Sequence, residues 1–211
     1  MRRLAALILI AIIVAGIFFA YPYFTTPNIS EGWWVLYHYG SPDEIGAGFI
    51  SDRYGAQVVT YVPLEASYDL NVWGLNLIWV GGSAGKEESP YPWLQPLSVI
   101  DQPSVQPKVQ WTYAPETDWV ITTPSAQYAC NAAGKDFGTV TVGFDYAHMR
   151  YVVIVIGYSA CATEAGARLV CEEELPTAGH YIVYRYTGQP VDIANLSRDI
   201  NAYPYEIVEE A

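Results

Sequence analysis

The sequence predicts an α/β protein, in which an N-terminal transmembrane helix is followed by one three-layer α/β sandwich domain with a mixed, mostly parallel sheet. Three observations predict this fold class. Strand patterns alternate with helix patterns along the chain, which is typical of a parallel sheet. Some strand patterns, such as residues 75–80, are almost wholly apolar, as strands buried on both faces are. Another pair, residues 139–144 and 151–157, is joined by a short polar turn, which indicates an antiparallel hairpin.

The start of the chain predicts a membrane anchor, so the lipid bilayer is the first expected partner. Two arginines precede an uncharged apolar run over residues 4–24, which as a helix is long enough to span a hydrocarbon core of ~30 Å. The arginines predict a cytoplasmic N-terminus and an extracellular domain. The run ends in bulky residues, including Tyr21 and Phe24, rather than in the small residues of a peptidase site. We therefore expect an uncleaved anchor over residues 1–24, with a cleaved signal peptide and a pilin-type leader as alternatives.

The domain follows a polar linker, residues 25–32, and spans residues 33–211. Runs of apolar and aromatic residues predict its strands. They cover residues 33–40, 57–63, 75–80, 119–124, 139–144, 151–157 and 180–186. Six prolines between residues 89 and 116 lack backbone donors, so an extended surface insertion is predicted over residues 86–117.

Capping residues and glycine stops predict the helices of the domain. Two short helices are predicted over residues 41–55 and 124–134 by a polar cap, an early proline and a final glycine. A longer helix is predicted over residues 159–175, where small and apolar residues repeat at helical spacing, so one face should pack on the sheet. The polar tail from Gly188 is expected to wrap the surface.

The charge of the chain excludes one class of partner. The sequence has 10 basic and 22 acidic residues, and two of the basic ones precede the anchor, so the outer part carries a formal charge of −14. Phosphate binding needs the opposite sign, so no nucleic-acid partner is expected. No nucleotide-binding motif is present, and His38, His148 and His180 are isolated in the sequence, so neither a cofactor nor a metal site is predicted.

The predicted extracellular location gives meaning to the cysteines and to two sequons. Cys161 and Cys171 are ten residues apart on a predicted helix, ~15 Å along its axis, which is too far for a disulfide between them. A disulfide would therefore join Cys130 to Cys161 or to Cys171 and leave one thiol over. Asn28 and Asn195 begin Asn-x-Ser sequons and are the candidate glycosylation sites.

Residues 81–85, Gly-Gly-Ser-Ala-Gly, match the G-x-S-x-G pattern directly after a predicted strand. In α/β-hydrolases this turn exposes a nucleophilic serine, which makes Ser83 a candidate nucleophile. The other triad members would come from later in the chain: Asp136 or Asp145 as the acid and His148 or His180 as the base. Prolines rather than a helix follow the turn, however, so a glycine-rich turn without catalytic function is favoured.

Two binding sites are weaker alternatives. Gly81, Gly82 and Ser83 are predicted to form a turn, and the backbone N–H groups of such a turn can bind an anion. Glu172, Glu173 and Glu174 end a predicted helix, where they repel one another and the helix dipole, and a cation would relieve that repulsion. A solvated acidic helix end is the favoured interpretation of these three residues.

Two segments together resemble a known family. Residues 76–85 (NLIWVGGSAG) are similar to the strand and VGGP turn of archaeal surface-layer (S-layer) and surface-glycoprotein domains. Residues 151–170 (YVVIVIGYSACATEAGARLV) resemble their later strand–GY–helix element, with Gly157, Tyr158 and Thr163 at matching places. The resemblance implies a related α/β module of an archaeal cell envelope and carries no catalytic residues.

These observations predict a membrane-anchored extracellular structural or interaction module of the cell envelope, of S-layer-associated type, with other envelope proteins as partners. Exposed aromatic side chains supply large contact area at modest entropic cost. The candidates for partner contact lie on the proline-rich insertion and are Tyr91, Trp93, Trp111 and Tyr113. The alternative role of these aromatic residues is to cover the domain's own core. The alternative function is a surface serine hydrolase that uses Ser83.

Overall fold

In a computed structural model of the protein, the described residues are 2–38, 40–61, 72–82, 105–114, 118–131 and 134–211. Within these ranges the chain forms three α-helices and ten strands. The helices are α1 (Arg2–Phe24), α2 (Glu44–Tyr54) and α3 (Ala160–Glu172). The strands are β1 (Trp34–His38), β2 (Gln57–Tyr61), β3 (Leu77–Gly82), β4 (Gln110–Ala114), β5 (Asp118–Thr122), β6 (Gln127–Ala129), β7 (Phe137–Asp145), β8 (Arg150–Gly157), β9 (Tyr181–Tyr186) and β10 (Tyr205–Glu210). Two short 3-10 helices, Ile193–Asn195 and Ile200–Ala202, precede β10.

Seven strands form one mixed sheet in the order β10-β9-β7-β8-β3-β1-β2. The neighbours β2, β1, β3 and β8 run parallel, whereas β8, β7, β9 and β10 are antiparallel to one another in turn. The predicted hairpin is confirmed, since β7 and β8 pair from Gly138–Gly157 to Asp145–Arg150. Within this sheet the described strands make three parallel and three antiparallel pairings, so the expected excess of parallel strands is wrong. The reason is β10, an unpredicted strand that extends the antiparallel half.

Side chains of the central strands alternate between two hydrophobic clusters, one on each face of the sheet. On β8, Val153 belongs to the first cluster and Ile154 to the second. The first cluster also contains Ile50 of α2 and Leu169 of α3. The second contains Trp119 of β5, which belongs to a three-stranded sheet of order β4-β5-β6. The mixed α/β fold is therefore confirmed, with α2 and α3 packed on one face of the large sheet and a small antiparallel sheet on the other.

A side-chain cap begins α3, and a left-handed glycine ends α2. The Ser159 hydroxyl oxygen accepts the Ala162 N–H at 3.1 Å and so caps α3. Gly55 ends α2 with φ 70°, a left-handed conformation that glycine adopts without a side-chain clash. Both predicted helices are confirmed, but α2 starts after Asp43 rather than at the predicted cap, Ser41.

The C-terminal end of α1 contacts the domain at one end of the seven-stranded sheet. Within Ala6–Phe24 the mean hydropathy reaches 2.4, so α1 is long and apolar enough to span a membrane. The Tyr146 hydroxyl, in the turn between β7 and β8, donates to the Phe19 carbonyl oxygen, and the two rings lie 5.3 Å apart. The Ala178 N–H donates to the Pro22 carbonyl oxygen at 3.1 Å. We call this end, which holds the turns at residues 72–76 and 146–149, the proximal end.

The opposite end of the sheet is the distal end, where β3 and β8 finish at Gly82 and Gly157. The predicted linker does not separate α1 from the domain. Ile29 is buried in the first hydrophobic cluster, and the Thr25 hydroxyl lies 2.7 Å from that of Tyr151 on β8. α1 therefore continues directly into chain that is packed on the domain.

Two local predictions are wrong. The helix expected over residues 124–134 does not form in its described part, where Gln127–Ala129 is β6 and pairs with β5. The Cys130 N–H then donates to the Trp119 carbonyl oxygen at 2.7 Å, so pairing across strands overrides the local helix signals. The tail is not merely wrapped over the surface either, because β10 pairs with β9.

Candidate functional site

A cavity of about 770 Å³ opens at the distal end of the sheet. It lies beside the carboxyl end of β8 and the first turns of α2 and α3, a place where open α/β sheets commonly bind ligands. The segment after β9 also lines it. The side chains that give the cavity its chemistry are Asp43, Asp136, Ser159, Cys161, Arg185 and Tyr186.

Asp136 and Ser159 form the polar wall where α3 begins. The Ser159 hydroxyl donates to the Asp136 carboxylate, which also accepts the Ser159 N–H at 3.2 Å. A carboxylate at this position is stabilised by the partial positive charge at the amino end of a helix. Asp136 therefore presents a fixed negative charge at the cavity wall.

Arg185 brings a positive charge to the same cavity. Its Nη2 lies 2.6 Å from Glu206 Oε2 on β10, and both side chains are exposed. Exposed ion pairs contribute only ~0–1 kcal/mol to stability. An anionic group of a ligand can thus replace Glu206 beside Arg185 at small cost.

Cys161 and Tyr186 line the apolar part of the cavity. Burial raises the pKa of the Cys161 thiol, which keeps it protonated and a poor nucleophile at neutral pH. The Tyr186 hydroxyl donates to the Gln189 carbonyl oxygen at 2.9 Å, and burial raises the pKa of Tyr186 to about 12. Neither side chain serves as an acid or base near neutral pH.

Glu164 of α3 is a buried carboxyl group close to the cavity residue Asp43. It is fully buried, and neither carboxyl oxygen has a hydrogen-bond partner among the described residues. Burial, followed by repulsion from Asp43, raises the pKa of Glu164 well above its usual range, which favours the protonated, neutral form. A Cβ atom on Gly46 of α2 would lie only 2.7 Å from Glu164 Oε2, so the carboxyl group takes the space that a side chain would need.

Glu164 is not among the residues that the sequence pattern singled out. The signal that points to it is a single acid within ACATEAGA, a run of small residues at the start of α3. Such small residues allow α2 and the sheet to approach from both sides, which buries the acid along with its neighbours.

The arrangement suits binding better than nucleophilic catalysis. The described residues that line the cavity include no histidine, and the Ser159 hydroxyl is already donated to Asp136. An activated serine or cysteine needs an adjacent base or a lowered pKa. Carboxylates, a guanidinium and an apolar wall instead match a ligand or a partner side chain with both polar and apolar parts.

No known protein provides a functional parallel for this site. Comparison with protein-family models, with curated proteins and with solved structures finds no match. The resemblance to S-layer domains therefore stays a prediction that rests on short motifs.

The residues of the G-x-S-x-G turn lie only partly within the described chain. Ser83 is outside it, whereas Gly81 is buried in β3 and Gly82 pairs with Gly157 at the distal end. A Cβ atom on Gly81 would lie 2.5 Å from Trp79 Nε1, so glycine is required there by packing alone. This explains the first glycine of the proposed anion turn without a ligand.

The described chain places both candidate bases away from the end of β3. His148 lies in the β7–β8 turn at the proximal end, whereas β3 ends with Gly82 at the distal end. At ~3.3 Å per residue, the six residues of β3 separate the two ends by roughly 17 Å. His180 precedes β9 and its carbonyl oxygen accepts the Val142 N–H, so it also lies towards the proximal half.

His148 and Asp145 do form a pair, but one that belongs to a turn. His148 Nδ1 lies 2.7 Å from Asp145 Oδ2, and the other oxygen of Asp145 accepts the Ala147 N–H at 2.9 Å. The buried Arg150 guanidinium also contacts Asp145, with its Nε at 3.2 Å. Asp145 therefore organises the β7–β8 turn. The other candidate acid, Asp136, lies at the distal cavity.

The aromatic residues predicted to contact a partner differ in their exposure. Tyr91 and Trp93 lie outside the described residues. Trp111 is wrong as an exposed contact, because it is buried in the second cluster and its indole N–H donates to the Thr139 hydroxyl at 3.1 Å. Tyr113 is 47% exposed and keeps its place as a contact candidate.

The predicted disulfide is wrong, since Cys130, Cys161 and Cys171 are all free thiols. Cys130 lies in the cluster that faces the small sheet, whereas Cys161 and Cys171 lie in the cluster that faces the helices. The large sheet therefore separates the cysteines that were expected to pair.

The remaining predicted sites are at the surface. Asn28 and Asn195 are both exposed, as glycosylation would require. The acidic end of α3 is partnered within the chain. Arg168 Nε lies 2.9 Å from Glu172 Oε1, and the Tyr205 hydroxyl donates to Glu173 at 3.0 Å, so no cation is needed to relieve the repulsion.

Proposed function

We propose that the protein is a membrane-anchored extracellular interaction module of a cell envelope, with a three-layer α/β domain held at the membrane by α1. One observation carries the proposal: α1 contacts the proximal end of the domain, whereas the cavity opens at the distal end. With α1 across a bilayer and its N-terminus in the cytoplasm, the cavity faces away from the membrane.

The distance of the cavity from the proximal end of the domain favours contact with neighbouring envelope proteins. β8 runs from the proximal to the distal end over eight residues, or roughly 23 Å at ~3.3 Å per residue. A ligand site so placed stands clear of lipid headgroups. Asp136 and Arg185 give it charges of both signs, and Tyr113 adds an exposed aromatic ring elsewhere on the domain.

The proposed partners are the bilayer, through residues 4–24, and other proteins of the envelope. An S-layer-associated role agrees with the motif resemblance and with the acidic outer part of the chain. The serine hydrolase is not proposed, because both candidate histidines lie away from the end of β3 that Ser83 follows.

Membrane extraction of the full chain tests the anchor. We expect wild type to stay in the membrane after alkaline carbonate and its domain to be cut by protease added outside intact cells. Ile10→Arg combined with Ile13→Arg should release the protein, since each arginine at the centre of a membrane helix costs ~2.5–3.5 kcal/mol. Val58→Arg is the matched control, because Val58 is an exposed apolar residue outside α1.

Photocrosslinking on the same cells tests the interaction with other envelope proteins. A photoreactive residue replaces Gln189, which is exposed beside the cavity, or, as the control, the exposed Glu31. We expect adducts with envelope proteins from Gln189 only. Extraction of wild type by carbonate, protection from external protease, or a lack of adducts at Gln189 would each contradict the proposal.

A further inference from the structure

The apolar run of α1 is only just long enough to cross a bilayer. Residues 4–24 make a helix of about 30 Å at ~1.5 Å per residue, which equals the ~30 Å hydrocarbon core. The domain, however, already contacts α1 at Phe19, which lies five residues, or ~7.5 Å, before the end of the helix. When α1 spans the core, the residues packed beside Phe19 therefore lie level with the bilayer surface or below it.

The part of the domain at that level is the β7–β8 turn. The Tyr146 ring packs on Phe19 at 5.3 Å and on Phe144 at 5.1 Å, so aromatic contact continues from α1 into the sheet. The hydroxyl groups of Tyr151 and Thr25 lie 2.7 Å apart and hold the chain after α1 on β8. These contacts leave no free linker that would lift the domain off the membrane.

A second turn lies beside the first and exposes a tryptophan. The Gly74 N–H donates to the His148 carbonyl oxygen at 2.6 Å, which joins the turn before β3 to the β7–β8 turn. In this second turn Val72 is 45% exposed and Trp73 is 71% exposed, the highest value for a large apolar side chain among the described residues of the domain. Exposed tryptophan is the side chain most typical of the membrane–water interface.

We propose that the proximal end of the domain rests in the interfacial layer of the bilayer, with the Trp73 indole inserted among the lipid headgroups. This inference rests on the membrane anchor proposed above. The turns at residues 72–74 and 146–149 form the contact surface, and α1 and Trp73 give the domain two points of attachment instead of one.

The charges near α1 decide which lipid surface fits. Glu174 accepts a hydrogen bond from Thr26, two residues after α1, at 3.4 Å, and Glu31 is exposed a few residues later. Carboxylates at this level repel anionic headgroups. The partner surface is therefore a zwitterionic one.

The test uses the full chain in phosphatidylcholine vesicles. Trp73→Cys carries an environment-sensitive nitrobenzoxadiazole label, and the three native cysteines do not compete because they are buried. We expect its emission to shift to shorter wavelength and to lose intensity when the lipid carries a nitroxide near the headgroup. The matched control, Gln189→Cys at the distal end, should show neither change.

Fluorescence of the native tryptophans provides a control that needs no label. Quenching by brominated phosphatidylcholine should fall in Trp73→Phe relative to wild type. A label at residue 73 that behaves like the label at residue 189, in protein that still resists carbonate, would overturn this inference and leave the anchor intact. Protein that does not remain with the vesicles would overturn the inference and the anchor together.

Discussion

Glu164 is a residue whose surroundings set its chemistry. Its carboxyl group lies between α2 and α3 without a hydrogen-bond partner among the described residues, next to the carboxyl group of Asp43. A buried, unpaired carboxylate is so costly that the group holds its proton instead. The proton bound to Glu164 is thus a component of the folded core.

Glu164→Gln tests this. Below about pH 4, Glu164 is protonated in both folded and unfolded chains. As the pH rises, only the unfolded chain releases the proton, so wild type loses up to ~1.4 kcal/mol of stability per pH unit until the folded pKa is reached. The variant escapes this loss, and its advantage in the free energy of unfolding should grow from pH 4 to pH 7.5.

Urea unfolding in detergent micelles measures the difference at several pH values. Glu31→Gln, at an exposed position, is the control and should not follow the same trend. A difference between Glu164→Gln and wild type that stays constant with pH would show that Glu164 is ionised in the folded protein.

At the scale of elements, the approach of α2 to α3 depends on a glycine. A Cβ atom on Gly46 would lie 2.9 Å from the Ala167 Cβ of α3, as well as close to Glu164. Gly48, two residues further along α2, has nothing within 4 Å of such a Cβ atom. Substitution of each glycine by alanine therefore distinguishes the effect of helix packing from the effect of helix propensity.

Gly46→Ala should lower the free energy of unfolding by about 1–3 kcal/mol, because the extra methyl group overpacks the contact between the helices. Gly48→Ala should raise it by about 0.5–1 kcal/mol, because alanine is the better helix former. Thermal unfolding of both variants decides the matter. Equal effects of the two substitutions would mean that α2 and α3 are not in close contact.

The sequence predicted the elements whose local pattern and final pairing agree. β3, β8 and α3 are apolar runs or amphipathic repeats, and each forms where it was expected. β6 and β10 were missed for a physical reason. β6 has only three residues after a proline, and β10 carries three acids, so both are strands because a neighbouring strand pairs with them.

The candidate site was harder to predict than the fold. Ser159 and Asp136 are 23 residues apart in the sequence. They lie close together because β7 and β8 pair as a hairpin, in which Gly138 is opposite Gly157. Arg185 reaches the cavity through β9, further along the chain. The G-x-S-x-G pattern favoured a site in the turn after β3, although packing against Trp79 explains its first glycine.

At the scale of the whole molecule, Glu209 joins the large sheet to the small one. It lies on β10, and its carboxylate accepts hydrogen bonds from four hydroxyl groups: Thr123, Ser125, Tyr128 and Tyr181. Burial alone would raise the pKa of Glu209, but these hydrogen bonds outweigh it and lower the pKa to about 2. The ionised form is therefore the one that holds the sheets together.

Glu209→Gln should cost about 1–3 kcal/mol of unfolding free energy at pH 7, the usual range for hydrogen bonds to a charged group. The contribution of a carboxylate with a lowered pKa is present above the unfolded pKa of ~4.3 and is lost as the pH falls towards 2. The difference between variant and wild type should shrink over that window in urea titrations. Glu206→Gln, which removes only an exposed ion pair, should cost less than ~1 kcal/mol. A cost of Glu209→Gln that persists unchanged at pH 2.5 would contradict this account.

The placement of α1 and the cavity at opposite ends of the same strands has a mechanical consequence. With α1 held in a bilayer, a partner that pulls on the distal end applies its force along β3 and β8 rather than across them. Their six paired residues then share the load in shear and must yield together, whereas a sideways pull would open the pairs one after another. A domain anchored in this way would be stiffest along the axis that runs from α1 to the distal cavity.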